Sequence, residues 1–259
     1  MTGTTGDLVV ERRGSVLVVR LNRPASRNTL TQNIFSGIGA AVLEAESDPD
    51  TRVIVLVGTG DRAFCAGMDL REFADGADGF TADESAAAYD RLTRGRTTVP
   101  VVGAANGAAV GGGLELLLGC DIVVASRTAK FALPETKRGL FPGGGGTFIG
   151  TRIPLGIALE LTLTGEPITA ERAYEIGLVN AVVAPDQVLD TALRYADLIA
   201  GNAPLGVAAA KELVRLALSD TTAAEQRLGE LQKSVFGSAD AREGAMSFVE
   251  KRPPAWQGR

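Results

Sequence analysis

The sequence predicts an α/β domain with a helical C-terminal region. Continuous apolar runs, "RVIVLVG" (52–58), "VPVVGAANG" (99–107) and "DIVVAS" (121–126), read as buried strands: they are short, valine-rich and end in polar or glycine turns. Helical patterns lie between them through the first two-thirds of the chain. From residue 186 onward the pattern is helical almost to the end. This shift divides the chain into an expected core of residues 1–200 and a helical region of residues 201–259.

Taken in order, "DLVVERRGSVLVVRLNRP" (7–24) reads as two strands around a turn at Arg13-Gly14, stopped by Pro24. Residues 31–46 read as a helix. Thr31 is its candidate cap, and Ile34, Ile38, Val42 and Leu43 recur at helical spacing. "DRAFCAGMDL" (61–70) reads as a loop ahead of a helix starting at Asp69. Residues 73–99 begin as a Gly/Asp loop and become an alanine-rich helix, either a specificity segment or an exposed surface helix. Residues 154–177 read as two short helices and 177–183 as a strand. The last helices are expected over 187–200, 204–218, 221–236 and 239–250.

Composition narrows the chemistry. The 259 residues carry a net charge of −5, which argues against nucleic acid or an anionic membrane as main partner. Two cysteines make no disulfide framework and suit a reducing cytoplasm. The N-terminal stretch has no apolar core of signal-peptide type, and no run of 18 apolar residues occurs, so a cytoplasmic protein without a membrane span is expected. There is no histidine, which removes His triads, His metal sites and His general bases together. A catalytic site must then rest on carboxylates, Lys/Arg, Tyr, Ser/Thr, Cys and backbone groups.

"AVGGGLELLLGCD" (109–121) joins three glycines to an apolar helix containing one carboxylate, Glu115. Free N–H groups at a helix start, approachable because glycine has no side chain, suit an anion: a phosphate or a developing oxyanion. Gly-Lys-Ser/Thr is absent, and the glycine spacing is not that of a dinucleotide loop. Close helix–strand packing is the plainer alternative. Glu115 alone would be read as a helix-dipole partner, and Glu135, after Pro134, as a helix-start residue. Both sit among apolar neighbours, however, where a carboxylate needs a partner or a task. Two carboxylates facing one pocket suit general acid/base work. "AFCAGMDL" (63–70) offers a second backbone donor near Met68. Cys65 has no histidine to activate it and reads as core.

These motifs resemble the enoyl-CoA hydratase/isomerase (crotonase) superfamily along nearly the whole chain. The resemblance is carried by "LNRPASRNTL", "AFCAGMDL", "PVVGAANGAAVGGGLEL", "FALPETKRGLFPGGGGT", "ITAERAYEIGLVNAVV" and "EGAMSFVEKRPPAW". It implies a spiral of ββα units with a helical C-terminal region used for a trimer, or a hexamer of two trimers. It implies an acyl-CoA thioester as substrate, with no metal or redox cofactor. The backbone N–H groups of Met68 and Gly112 would bind the thioester oxygen, and Glu115 and Glu135 would be the acid/base pair. Ala66, Gly67, Asp69 and Leu70 flank the hole as substrate contacts. Arg27 and Arg71 would meet CoA phosphate, and Phe248 and Lys251 the CoA of a neighbouring subunit. Phe141 and residues 73–95 would line the acyl end. Retention of both glutamates favours hydration of a 2-enoyl-CoA. "FALPETKRG" and "EKRPPAWQGR" resemble the carnitinyl-CoA dehydratase branch, and isomerase or plain acyl-CoA binding are the other readings.

Overall fold

Strands enter two sheets by turns. The computed structural model describes residues 4–69 and 83–259, without the side chains of Thr4 and Thr5. The larger sheet begins with β1 (Thr4–Thr5), β2 (Leu8–Arg13) and β3 (Val16–Leu21), which pair antiparallel. It continues in parallel through β4 (Val53–Gly58), β6 (Val101–Ala105), β8 (Ile122–Ser126) and β11 (Ala181–Val183). A smaller sheet holds β5 (Ala63–Cys65), β7 (Ala108–Val110), β9 (Lys130–Ala132) and β10 (Ile168–Thr169), in the order β10-β9-β7-β5.

The helices complete each turn of the path. After α1 (Gln32–Ser47), the chain gives β4 to one sheet and β5 to the other, and later reaches α2 (Glu84–Thr93). It then gives β6 and β7, followed by α3 (Gly112–Gly119), and next β8 and β9. This is the expected ββα repeat. α4 (Leu155–Thr164) and α5 (Ala170–Glu175) follow, then α6 (Val188–Ala200), α7 (Pro204–Ser219), α8 (Thr221–Phe236) and α9 (Ala239–Glu250).

Burial on both faces explains the unbroken apolar runs. In β4, Ile54 and Leu56 join the core between the sheets, whereas Val53, Val55 and Val57 join a second core roofed by Val188, Ala192 and Ala196 of α6. Successive side chains point to opposite faces, so a strand covered on both sides has no polar position left.

The helix expectations hold within a residue or two. Thr31 caps α1 by accepting the Ile34 N–H. The loop expected over 61–70 is corrected: residues 63–65 form β5, pairing with β7 in parallel. The expected helix start at Asp69 lies largely outside the described residues, as do residues 73–82 of the candidate specificity segment. Residues 84–93 of that segment are α2, with Ala88, Tyr89 and Leu92 buried, so this part is no exposed surface helix. Pro134 is the N-cap of a short 3-10 turn at Glu135–Arg138, not its first residue. Among the described residues, no helix is long and apolar enough to cross a membrane.

α7 is fastened to the core by charge. Lys211 Nζ donates to Thr97 Oγ1 at 2.8 Å and to the Val99 carbonyl at 2.9 Å, and it pairs with Asp121 at 2.9 Å. Burial pulls the Lys211 pKa down, and Asp121 opposes that shift.

Candidate active site

Two backbone turns meet at van der Waals distance. Gly67 ends the turn after β5 with φ +89°, and a β-carbon there would lie 2.7 Å from the Val110 carbonyl oxygen. One on Gly113 would lie 2.2 Å from the Cys65 carbonyl oxygen. Gly111 has φ +55°, and its missing β-carbon would crowd Glu135 Oε1 at 3.0 Å. Only glycine meets these demands together. The helix–strand packing role is therefore real, and it coexists with exposure of the backbone to a ligand.

The turn around Met68 is stitched to residue 30. The Leu30 N–H donates to the Gly67 carbonyl at 2.8 Å, and the Asp69 N–H donates to the Leu30 carbonyl at 3.0 Å. The Ala66 N–H donates to the Arg27 carbonyl at 3.0 Å. Beneath it, buried Asn28 donates from Nδ2 to the Thr59 and Ala63 carbonyls and accepts the Arg23 N–H. Among the described residues, neither the Met68 N–H nor the Gly112 N–H donates to a backbone acceptor. Both residues line a cavity of about 500 Å³, together with Glu115 and Glu135.

The two carboxyls have different surroundings. Glu115 stands in the first turn of α3 and is 7% exposed. Its Oε1 accepts the Gly144 N–H at 2.8 Å and the Gly146 N–H at 2.9 Å. Burial pushes its pKa up, and these two donors oppose the shift. Glu135 starts the turn after β9, and its buried Oε2 has no hydrogen-bond partner among the described residues. Burial raises the Glu135 pKa first, its own backbone N–H opposes, and the charge of Glu115 raises it further. Cys65 is buried, with its thiol pushed up to about 12, which removes it as a nucleophile.

Of the other expected site residues, Ala66, Gly67 and Phe141 line the same cavity. Leu70 and Arg71 lie outside the described residues. Asp69 does not line the cavity: its carboxylate faces Arg23 Nη1 at 3.3 Å and Thr29 Oγ1 at 3.2 Å, pinning the turn instead. Arg27 is exposed beside Ala66, in a left-handed conformation, and is not part of the wall. Phe248, 85% exposed, and the C-cap Lys251 sit at the end of α9 and do not line this cavity.

Tyr89 falls within the segment 73–95 expected at the acyl end and forms part of the wall, whereas sequence reasoning did not find Phe35 and Arg138, which also form it. Phe35 and Tyr89 meet edge to face at 4.7 Å between ring centres. The sequence signal for Phe35 was an aromatic residue within the helix read over 31–46. The glycine run 143–146 follows Glu135 closely in sequence, but the N–H groups of Gly144 and Gly146 serve Glu115. Among the described residues, no group of three or more His, Cys, Asp or Glu side chains is placed to hold a metal ion.

Residues 11–259 match the model of the enoyl-CoA hydratase/isomerase family. The chain belongs to this family. It is 40% identical over 255 residues to the carnitinyl-CoA dehydratase of Proteus mirabilis, covering 95% of this chain and 97% of the relative. It is 39% identical over 268 residues to an enoyl-CoA hydratase of Mycobacterium tuberculosis, covering 98% and 97%. Among solved structures, an enoyl-CoA hydratase from Mycobacterium tuberculosis H37Rv superposes with a TM-score of 0.90 at 37% identity, covering 98% of this chain and 100% of that one. The carnitinyl-CoA hydratase from Mycobacterium avium superposes at 0.78 with 39% identity, covering 99% and 100%. The two-sheet architecture with C-terminal helices is thus the crotonase fold.

Proposed function

We propose that this crotonase-family enzyme adds water across the 2,3 double bond of a 2-enoyl-CoA to give a 3-hydroxyacyl-CoA. Its relatives fix the class, a hydro-lyase of the enoyl-CoA hydratase type. The observation that carries the reading is one cavity holding two unlike carboxyls and two backbone N–H groups without backbone acceptors among the described residues. The thioester oxygen accepts from the Met68 and Gly112 N–H groups, which stabilise the negative charge gained in the enolate. Glu115, held as a carboxylate by the two glycine donors, takes a proton from water as the water oxygen bonds to C3. Glu135 enters protonated, because an orphaned buried oxygen near a second carboxylate disfavours charge. It gives its proton to C2. Glu115 leaves protonated and Glu135 ionised, so one water has been added, and proton exchange between them restores the start. The reverse sequence is the dehydration.

CoA itself would meet Arg27 and Arg71 through phosphate, and Phe248 and Lys251 of a neighbouring subunit in a homotrimer or a hexamer of two trimers. Phe141 belongs to the acyl end. The dehydration of a carnitinyl-CoA is the second reading, favoured by the 40% identity to a relative of that name. A panel of 2-enoyl-CoA thioesters of graded length, with one whose tail carries a quaternary ammonium, tests both. Loss of the conjugated absorbance together with a mass gain of one water is expected. Turnover confined to 3-enoyl-CoA substrates, yielding the 2-enoyl isomer, would replace hydration with isomerisation.

A further inference from the structure

The helix that carries Glu115 is short, and its far end is gripped by arginines from distant parts of the chain. α3 has eight residues, so it runs for only about 12 Å. The last four carbonyls of a helix have no intrahelical donor. Here each finds one. Cys120 Sγ donates to the Leu116 carbonyl at 3.3 Å, and the Cys120 N–H donates to Leu117 at 3.1 Å. Arg152 Nη1 donates to Leu118 at 3.1 Å, and Arg215 Nη2 to Gly119 at 3.2 Å. The Cys120 carbonyl then accepts Arg152 Nη1 at 2.7 Å. Cations at a helix C-terminus are also favoured by its dipole, and a planar guanidinium presents donors in a fixed fork.

Arg152 differs from Arg215 in what precedes it. Gly144 and Gly146 hold Glu115 Oε1, the 3-10 turn Gly146–Thr151 follows, and Arg152 comes next. One segment therefore grips the first turn of α3 through the carboxylate and its last turn through the carbonyls. Rotating α3 about its axis breaks both holds. Glu115 Oε2 accepts no hydrogen bond among the described residues and is the oxygen left for chemistry, so its aim is set by that rotation.

We propose that Arg152 is a positioning residue that fixes the axial rotation of α3 and, through it, the aim of Glu115 Oε2. This rests on the proposed role of Glu115. A misplacement of about 1 Å can cost roughly 100-fold in rate. The test is Arg152→Met and Arg152→Lys, each made alone and together with Glu115→Gln. Rates are measured on soluble enzyme whose circular dichroism matches that of the starting protein. Arg152→Met is expected to lower kcat by about 10- to 100-fold, with KM changed far less. Arg152→Lys is expected to recover part of it. In the Glu115→Gln background the Arg152→Met loss shrinks to a few-fold, because residues acting as a unit are non-additive. The same fold loss in both backgrounds, or wild-type kcat in folded Arg152→Met, overturns the proposal. If Arg152→Met does not fold, Arg152→Lys carries the same cycle. Full activity in Glu115→Gln alone removes the role of Glu115 and that of Arg152 with it. A slow Glu115→Gln beside a fast Arg152→Met removes only Arg152.

Discussion

The Gly146 N–H donates to Glu115 Oε1 at 2.9 Å across 31 positions of sequence. With Gly144 it commits one oxygen of the carboxylate to the protein, while the other accepts no hydrogen bond among the described residues. A β-carbon on Gly144 would lie 2.7 Å from Glu115 Oε2, whereas one on Gly143 would meet only Phe141, at 3.8 Å and beyond. Gly144→Ala is therefore expected to lower kcat at least tenfold, while Gly143→Ala stays within about threefold of the parent; both are scaled from the cost of misplacing a catalytic group. Steady-state rates on one enoyl-CoA compare them directly, and equal effects would remove the steric argument.

In the proposed mechanism, Glu115→Gln and Glu135→Gln each delete a proton-transfer group. Each is expected to reduce hydration by about 10²–10⁴-fold, followed by loss of enoyl absorbance. Either variant turning over at the parental rate would refute the paired acid/base mechanism.

Stability should respond to pH with a definite sign. Burial raises the Glu135 pKa, so the folded state binds more protons than the unfolded one. Its contribution is full below the unfolded value, about 4.3, and is lost as pH rises through the folded value. Glu135→Gln removes that loss. The variant should melt above the parent at pH 8 and alongside it near pH 4. A melting-temperature gap that does not change with pH contradicts the assignment.

Asn28 is fully buried, and its Nδ2 serves two carbonyls, 3.0 Å from Thr59 and 2.9 Å from Ala63. Asn28→Asp replaces that donor with an acceptor, taking the donor from the Thr59 carbonyl and leaving the Ala63 carbonyl with the longer bond from Asn106 Nδ2 at 3.4 Å. A loss of about 1–3 kcal/mol is expected, read from denaturant midpoints. An unchanged midpoint would show that this pin is dispensable.

On α4, Leu155, Leu159 and Leu163 are 68%, 47% and 69% exposed and fall one above another on one face. In the proposed homotrimer or hexamer this stripe is covered. Sedimentation should find the parent self-associated and Leu159→Asp shifted toward monomer; a monomeric parent removes the assembly.

Much of this was legible in the sequence because periodicity speaks for long elements. The helices from residue 188 onward and the valine-rich strands stood out for that reason. The smaller sheet did not, since β5, β7, β9 and β10 have only two or three residues each, below any detectable alternation. Glu115 and Glu135 were visible as misfits among leucines and alanines, and the structure places both on one cavity. The carboxylate of Asp69 turns to Arg23 and Thr29, partners more than 35 positions away, which the local motif did not announce. Phe35, Arg138 and Arg152 were missed for a related reason. Their parts depend on contacts between segments, and no local spacing encodes those.

The contact between Gly113 and the Cys65 carbonyl has an engineering meaning. With only hydrogens between the two backbones, the gap between the Met68 and Gly112 turns is set by the thickness of the main chain itself. It works as a fixed gauge that side-chain substitution elsewhere does not retune. On the proposed function, the walls supplied by Phe35, Tyr89 and Phe141 can be recut for a new acyl group while that gauge keeps its setting, so redesign of this scaffold begins at the walls.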